Sequence, residues 1–494
     1  MKILFKLFSL KLLVSILGLI SSIIVVRYFG LSRDVEIYFG AQSLVYVIIS
    51  LTQAGQLSEI FLPEFIILNK RKKKLGFTAL NIVINRMAIY SMIAFIIIFI
   101  FSELLIKIIL PGFTENERLE ASLMFKLLLP SLFFQITNSF FITTLDALKK
   151  YGRAEILGVI NVIVNILCVV ILYQYLYVWS LVVALFTGKI IEFIFYFYNL
   201  KKAGYNYQFI FSNPEFDHRK FFKSIRSTFI YAGSTQIYMI VLISLISYLP
   251  EGTLAIFKYV QNLSNKIKGL FFQPIFTVFF TKYSILLSNS KNLFNEFRIA
   301  KQSILNINCI IIIGCVLLGD EVINLIWGGD KFDDENVFLA YVFLLFNLFG
   351  IIFSSIGQVY RKMAVANGKA NKLYSLWVFS QLSSSLFAYL LISNFGIRGL
   401  YFIIPINSFL MALVSFFVYK QTPQPLKFNF VNSFQFYSVF AITLAFLIKY
   451  FFTKLNNPEI EFINIALLGF CTLILSIFPL ITLYNLNDTK KNIN

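Results

Sequence analysis

A stripe of polar side chains follows one predicted membrane helix near the middle of the chain. Lys258, Asn262 and Lys266 recur at intervals of four residues, so they share one helical face, and Gln261 and Asn265 lie beside them. A charge inside a membrane span costs at least about 2.5–3.5 kcal/mol at mid-depth, so it normally faces protein or a water-filled cavity. The stripe therefore predicts that Lys258 and Lys266 line a polar cavity. The alternative is that Lys266 extends its ammonium group to the cytoplasmic interface.

A second polar set lies on the second predicted span. Tyr38, Gln42, Tyr46, Ser50 and Gln53 fall at nearly helical spacing. Hydroxyls, amides and aromatic faces suit the binding of sugars. Hydrogen bonding between packed spans explains the same residues equally well.

Most catalytic chemistry is excluded by residue type. The single histidine, His218, lies in a polar loop. The predicted spans therefore contain no histidine for a buried proton relay or a Ser-His-Asp triad. No GxxxxGK[ST] loop occurs, which argues against an ATP site. Four cysteines lie singly in apolar runs without metal-ligand spacing: Cys168, Cys309, Cys315 and Cys471. We therefore expect no enzyme, no cofactor and no metal.

The composition indicates that these residues belong to a membrane protein. Of 494 residues, 58% are hydrophobic and only 14% are charged, and the mean hydropathy is +0.79. A soluble fold would need more polar surface. We predict an all-α polytopic membrane protein with about fourteen transmembrane helices, although short separators leave twelve or thirteen possible. The predicted spans are 8–29, 35–60, 79–106, 122–146, 155–176, 179–199, 224–249, 253–281, 303–327, 337–360, 373–393, 398–419, 432–453 and 460–484.

Basic residues orient these spans. With both termini in the cytoplasm, 29 Lys and Arg residues lie in inside segments and seven in outside segments. The opposite orientation would violate the positive-inside rule at almost every loop. We therefore expect both termini on the cytoplasmic side. The net charge of +19 then reflects topology and contact with anionic lipid, so no nucleic-acid partner is needed.

The chain also contains an internal repeat. Glu103 matches Glu321 at a spacing of 218, and Gly152-Arg153-Ala154 recurs as Gly368-Lys369-Ala370 at a spacing of 216. Gln42 on helix 2 matches Gln261 on helix 8 at a spacing of 219. Six helices per repeat give two pseudo-symmetric bundles of like orientation, which is a transporter plan. We predict lobes at 1–217 and 218–427, followed by two additional transmembrane helices at 428–494.

Longer segments carry a family resemblance. VVRYFGLSRDVEIYFGAQ, QAGQLSEIFLPEF and ILPGFTENERLEASLMFKLLLPSLFF resemble, in order, the MurJ (MviN) family of lipid II flippases within the multidrug/oligosaccharidyl-lipid/polysaccharide flippase superfamily. The resemblance implies fourteen helices and a location in the bacterial cytoplasmic (inner) membrane. It also implies transfer of a polyprenyl-diphosphate-linked glycan to the outer leaflet by alternating access. Arg27 matches a family arginine. Glu36 matches an acidic family position near the outer end of the cleft, which implies gating or coupling.

The departures from the family concern its cationic residues. Arginines that the family carries on helix 1 are replaced by apolar and small residues over 14–22. Ile49-Ser50 replace a basic pair, and Gln261, Asn262 and Asn265 replace the charged pattern of helix 8. We therefore expect a capsule or O-antigen unit as the cargo of a monomeric flippase. The first alternative cargo is lipid II. The second alternative is a drug/cation antiporter, which is disfavoured because helix 1 lacks a carboxylate.

Overall fold

The computed structural model describes residues 2–53, 56–148, 152–218, 235–272, 294–422, 433–454 and 465–477, with a few single positions besides. Within these ranges every regular element is a helix, apart from the isolated β-bridges Asn213–Phe216 and Gly329–Phe332. The predicted all-α membrane fold is confirmed.

The chain divides into two compact units, Met1–Ala255 and Ile256–Asn494. The first unit contains ten described helices: α1 Lys2–Phe29, α2 Arg33–Gln53, α3 Gln56–Arg71, α4 Lys73–Ile100, α5 Ser102–Ile109, α6 Glu115–Leu128, α7 Pro130–Ala147, α8 Arg153–Leu176, α9 Trp179–Lys201 and α10 Thr235–Ile246. Helix α11, Thr253–Ile267, begins in the last residues of this unit and continues into the second.

The second unit continues with a π-helical turn and six further described helices. They are the turn Lys268–Phe272, α12 Phe294–Trp327, α13 Asp334–Ala366, α14 Ala370–Phe395, α15 Ile397–Lys420, α16 Ser433–Lys454 and α17 Ile465–Ile477. The predicted lobe boundary at 217/218 lies at the edge of the described residues, and the one at 427/428 lies outside them. The three-part division stays a prediction.

Eight of the described helices are individually long and apolar enough to cross a membrane, and the pair α6 and α7 adds a ninth span if it is counted as one. The predicted span 35–60 covers α2 and the beginning of α3. Parts of the predicted spans 224–249, 253–281 and 460–484 lie outside the described residues.

Helices α6 and α7 meet at an angle of 40°, where sequence analysis predicts one continuous span. The bend falls at Pro130, which has no N–H to donate to the carbonyl four residues earlier and therefore interrupts the helix. The corresponding helix of the second unit, α13, runs unbroken for 33 residues.

Local backbone geometry repeats with the predicted period. Thr114 and Asp333, 219 positions apart, each accept a backbone N–H as the N-cap of a helix. Gly152 and Gly368, 216 apart, both adopt positive φ, at 84° and 74°. Tyr177 ends its helix with φ 47° and ψ −126°, and the residue 219 positions later, Gly396, has φ 55° and ψ −131°. The two units therefore share helix caps and backbone dihedral angles at corresponding positions.

Candidate functional site

The carboxylate of Glu36 lies at the beginning of α2 and is almost fully buried, with 1% of the residue exposed. Its Oε1 accepts the backbone N–H of Leu254 at 2.8 Å and that of Ala255 at 3.4 Å, in the first turn of α11. Its Oε2 lies 2.8 Å from Nη1 of Arg33. Because the first N–H groups of a helix have no partner inside that helix, a buried carboxylate there stabilises the start of α11.

Arg33 extends the same contact. Its Nε lies 3.3 Å from Oε1 of Glu117, and its guanidinium lies 4.5 Å from the ring centroid of Phe113. Its backbone N–H donates to Oε1 of Glu251 at 2.7 Å. A carboxylate next to the start of α11 thus accepts a backbone N–H at the start of α2, and a carboxylate near the start of α2 accepts backbone N–H groups at the start of α11. We call Arg33, Glu36, Glu117 and Glu251 the outer clamp, after the side of the membrane on which the predicted topology places them.

Sequence analysis identified Glu36 in the outer clamp but missed its other members. It assigned no role to Arg33, Glu117 or Glu251. One signal was present in the sequence. Arg33 and Glu251 lie 218 positions apart, as do Glu36 and Leu254, and this is the period of the repeat.

The remaining predicted residues of the first unit differ in accessibility. Gln42 is half-buried, and its Nε2 donates to the hydroxyl of Tyr38 at 2.7 Å. Tyr46 and Arg27 are exposed. The amide of Gln42 is therefore partly used within α2, whereas Tyr46 and Arg27 remain accessible to a ligand.

Helix α11 is polar on one face and apolar on the other. Asn262 and Asn265 are exposed, and Gln261 and Lys266 are half-buried. The opposite face carries fully buried apolar side chains, among them Ile256 and Val260. The five residues predicted from helical spacing do form one stripe of α11. A π-helical turn, a feature frequent at functional sites, follows directly.

Lys258 is the most buried member of this stripe, with 8% of the residue exposed. Among the described residues, no carboxylate lies within ion-pair distance of its ammonium group, and no hydrogen bond engages it. A buried ammonium without an anion is costly, so an anionic ligand at this position would be strongly stabilised.

Two lysines within predicted spans are neutralised locally. Lys189 forms an ion pair at 2.9 Å with Glu192, three residues later on α9. Lys126 pairs with Glu103 at 3.1 Å. Groups of three or more His, Cys, Asp or Glu side chains suited to a metal ion do not occur in the described part of the chain.

Comparison with known proteins identifies the family. The profile described as "Lipid II flippase MurJ" matches residues 25–469, most of the chain. The chain belongs to the MurJ family. It is 23% identical over 438 residues to the "Probable lipid II flippase MurJ" of Aquifex aeolicus (strain VF5), covering 86% of this chain and 84% of the relative.

Solved structures agree on the fold. A lipid II flippase MurJ in an inward closed conformation matches with a TM-score of 0.76 and 20% identity, over 95% of this chain and 98% of that one. An inward-facing multidrug resistance MATE transporter of the MOP superfamily matches with a TM-score of 0.66 and 17% identity, over 84% and 97%. The resemblance predicted from ordered sequence segments is therefore confirmed.

Family membership bears on the expected cargo. Sequence analysis preferred a surface-polysaccharide unit because the arginines of helix 1 are absent. The family profile and the Aquifex relative are both described as lipid II flippases, which favours the alternative, lipid II. The missing arginines show how this chain departs from its family, and they are weaker evidence about cargo than a match over most of the chain.

Proposed function

We propose that this MurJ-family protein moves lipid II from the inner to the outer leaflet of the bacterial cytoplasmic membrane by alternating access. The observation that carries the proposal is the match of the family profile to residues 25–469. Both termini are on the cytoplasmic side in this proposal, as the distribution of basic residues indicates.

The polar face of α11 supplies the groups that such a cargo needs. A diphosphate and its glycan cannot cross hydrocarbon without a hydrated, cationic path, whereas the prenyl tail can remain in lipid. Lys258 and Lys266 would bind the diphosphate, with Gln261, Asn262 and Asn265 hydrogen-bonding to the head group. Tyr46 and Arg27 are accessible residues of the first unit with suitable chemistry for the same cargo.

The outer clamp would govern release. In the structure Glu36 holds the first turn of α11 to the start of α2 through two N–H bonds and the ion pair with Arg33. Alternating access requires such contacts to break when the outer end opens. Glu36 is thus a gating residue in this proposal.

Complementation tests the cargo. The chain is expressed in a bacterium depleted of its own lipid II flippase, with Lys258→Ala as the comparison. Rescue by the wild-type chain, reduced by Lys258→Ala at equal membrane abundance, is the expected result. Failure of an abundant, correctly inserted wild-type chain to rescue growth would contradict lipid II as cargo.

A lipid-linked surface-polysaccharide unit is the second candidate. The specific observation in its favour is the apolar stretch 14–22, where lipid II flippases of the family carry arginines. Purified protein in vesicles separates the two candidates, because transfer of labelled lipid II and of a labelled polyprenyl-diphosphate oligosaccharide can be measured side by side. Faster transfer of the second cargo would reverse the proposal.

A further inference from the structure

An extended segment after α9 lies along the side of α4. We call residues 205–211 the strap. Side chains of α4 hydrogen-bond its backbone carbonyls, and two strap hydroxyls donate back to α4. These bonds are Asn81 Nδ2 to Asn206 O, Asn85 Nδ2 to Gln208 O and Ile210 O, Arg86 Nε to Phe211 O, Tyr205 Oη to Asn81 Oδ1 and Tyr207 Oη to Asn85 Oδ1, all between 2.6 and 3.1 Å.

The strap fixes Arg86 but uses only part of its guanidinium. Nε donates to the Phe211 carbonyl at 2.8 Å, and the side chain is half-buried. A guanidinium has five N–H donors in a rigid fork. Within the described residues, the four donors on Nη1 and Nη2 have no acceptor, and no carboxylate pairs with the charge.

Arg86 begins a stripe that faces lipid. Tyr90, Ile93, Ile97 and Ile100 follow it at helical spacing, and their exposed fractions are 49%, 54%, 52% and 68%. A water-filled path would carry polar side chains, so an exposed isoleucine face on a membrane span contacts acyl chains. The guanidinium therefore lies at one end of a surface that hydrocarbon covers.

The length of the stripe matches one leaflet. From Arg86 to Ile97 the helix rises by about 16 Å at 1.5 Å per residue. Half of the hydrocarbon core is about 15 Å thick. When the guanidinium lies at head-group level, the stripe thus reaches the middle of the bilayer.

Two further features place Arg86 at the head groups. Tyr207 and Phe209 of the strap are exposed, by 51% and 74%, and aromatic side chains are enriched at the membrane interface. The chain just before and at the start of α4 carries five consecutive basic residues at 70–74, which the positive-inside rule assigns to the cytoplasm. The head-group level next to Arg86 is therefore that of the cytoplasmic leaflet.

We propose that Arg86, held by the strap, binds the phosphate of an anionic phospholipid of the cytoplasmic leaflet. The two Nη groups donate to the phosphate oxygens as a fork, and an acyl chain lies along Tyr90, Ile93 and Ile97. Because no described carboxylate pairs with the guanidinium, its positive charge favours phosphatidylglycerol over a zwitterionic lipid. This site is separate from the cargo groups on α11 and from the outer clamp.

Lipid binding to the purified full-length protein tests the site. Phosphatidylglycerol is titrated in detergent and bound lipid is counted by native mass spectrometry. Arg86→Gln is expected to bind about tenfold more weakly, equivalent to about 1.4 kcal/mol, and Arg86→Lys to lie between it and the wild type. Arg153→Gln, a half-buried arginine at the start of α8, is the matched control and should bind like the wild type. Equal binding by Arg86→Gln, or equal losses in both Gln variants, would overturn the proposal.

A measurement on the wild-type chain covers the case in which Arg86→Gln does not fold. Phosphatidylglycerol with a photoreactive acyl chain should form adducts on the α4 stripe or the strap, and adducts confined to other helices would overturn the assignment. Undecaprenyl diphosphate is added as competitor. Unchanged adducts support a phospholipid site, whereas their loss would assign Arg86 to cargo and refute the proposal. Neither outcome depends on which glycan the protein transports.

Discussion

Replacing Glu36 by Gln should weaken the outer clamp without changing its shape. The amide oxygen can still accept the N–H groups of Leu254 and Ala255, but the charge is lost. Hydrogen bonds to a charged group contribute about 1.5–3 kcal/mol and neutral ones about 1 kcal/mol, and a broken buried ion pair costs more. Arg33 is 27% exposed and keeps Glu117, which reduces the loss. We expect the outer-closed state to lose about 2 kcal/mol, which raises the population of the open state roughly thirtyfold.

Labelling of a buried cysteine measures this shift. Phe39 lies one turn after Glu36 on the same face of α2 and is only 5% exposed, so Phe39→Cys should react with an impermeant maleimide mainly when the outer end opens. The four native cysteines are first replaced. Glu36→Gln should label roughly thirty times faster than the parent. Glu103→Gln, which removes a largely exposed ion pair on the same side, should label at the parent rate. A folded Glu36→Gln protein that labels no faster than its parent would refute the clamp.

Three further predictions concern the cargo groups, the topology and the packing. Lys258→Ala should impair flipping at normal membrane abundance. Lys258→Arg should retain part of the flipping activity and Lys258→Gln should not, because binding of phosphate needs the positive charge. Equal activity of all three variants in a vesicle assay would show that another residue is the phosphate-binding cation. Single cysteines at Lys72 and Asn367 should be labelled only from the cytoplasm and those at Asn116 and Asp333 only from outside, and outside labelling at Asn367 would break the fourteen-span topology. Gly112→Ala should lower the thermal unfolding temperature, because the added methyl group would overlap the backbone of Ser247 and cost about 1–3 kcal/mol, whereas Gly314→Ala, inside a helix with open space around it, should not.

The lengths of the helices were largely predictable because each span must cross the bilayer. The repeat predicted which helices of the two units correspond. A period of 216–219 positions read from three short matches also relates the helix caps and the glycines with positive φ. The bend at Pro130 was missed because apolar composition continues through it. Helical spacing alone placed Lys258, Asn262 and Lys266 on one stripe, but it contains no information about burial, which is much greater for Lys258 than for the other two.

The contacts of the candidate site were harder to predict than its residues. Glu36 was found through the family resemblance, whereas Glu251 and Glu117 are joined to it only through the folded chain. The strap is a stronger example. Residues 205–211 lie between two predicted spans, and only the structure shows that Asn81, Asn85 and Arg86 hydrogen-bond their carbonyls. A single sequence carries no signal for such long-range pairs unless they fall on the repeat period.

The gating role that we propose for Glu36 links opening of the outer end to the entry of water. Leu254 and Ala255 lie in the first turn of α11, where the N–H groups have no acceptor in their own helix. In the structure the Glu36 carboxylate satisfies them, and Arg33 neutralises the carboxylate. When the clamp breaks, two N–H groups and a carboxylate each need a new partner, and in a protein surrounded by hydrocarbon only entering water can supply all of them. Opening toward the polar head of the cargo and the outside solution is therefore far less costly than opening toward lipid, which makes a buried, fully paired carboxylate well suited to hold an outer gate.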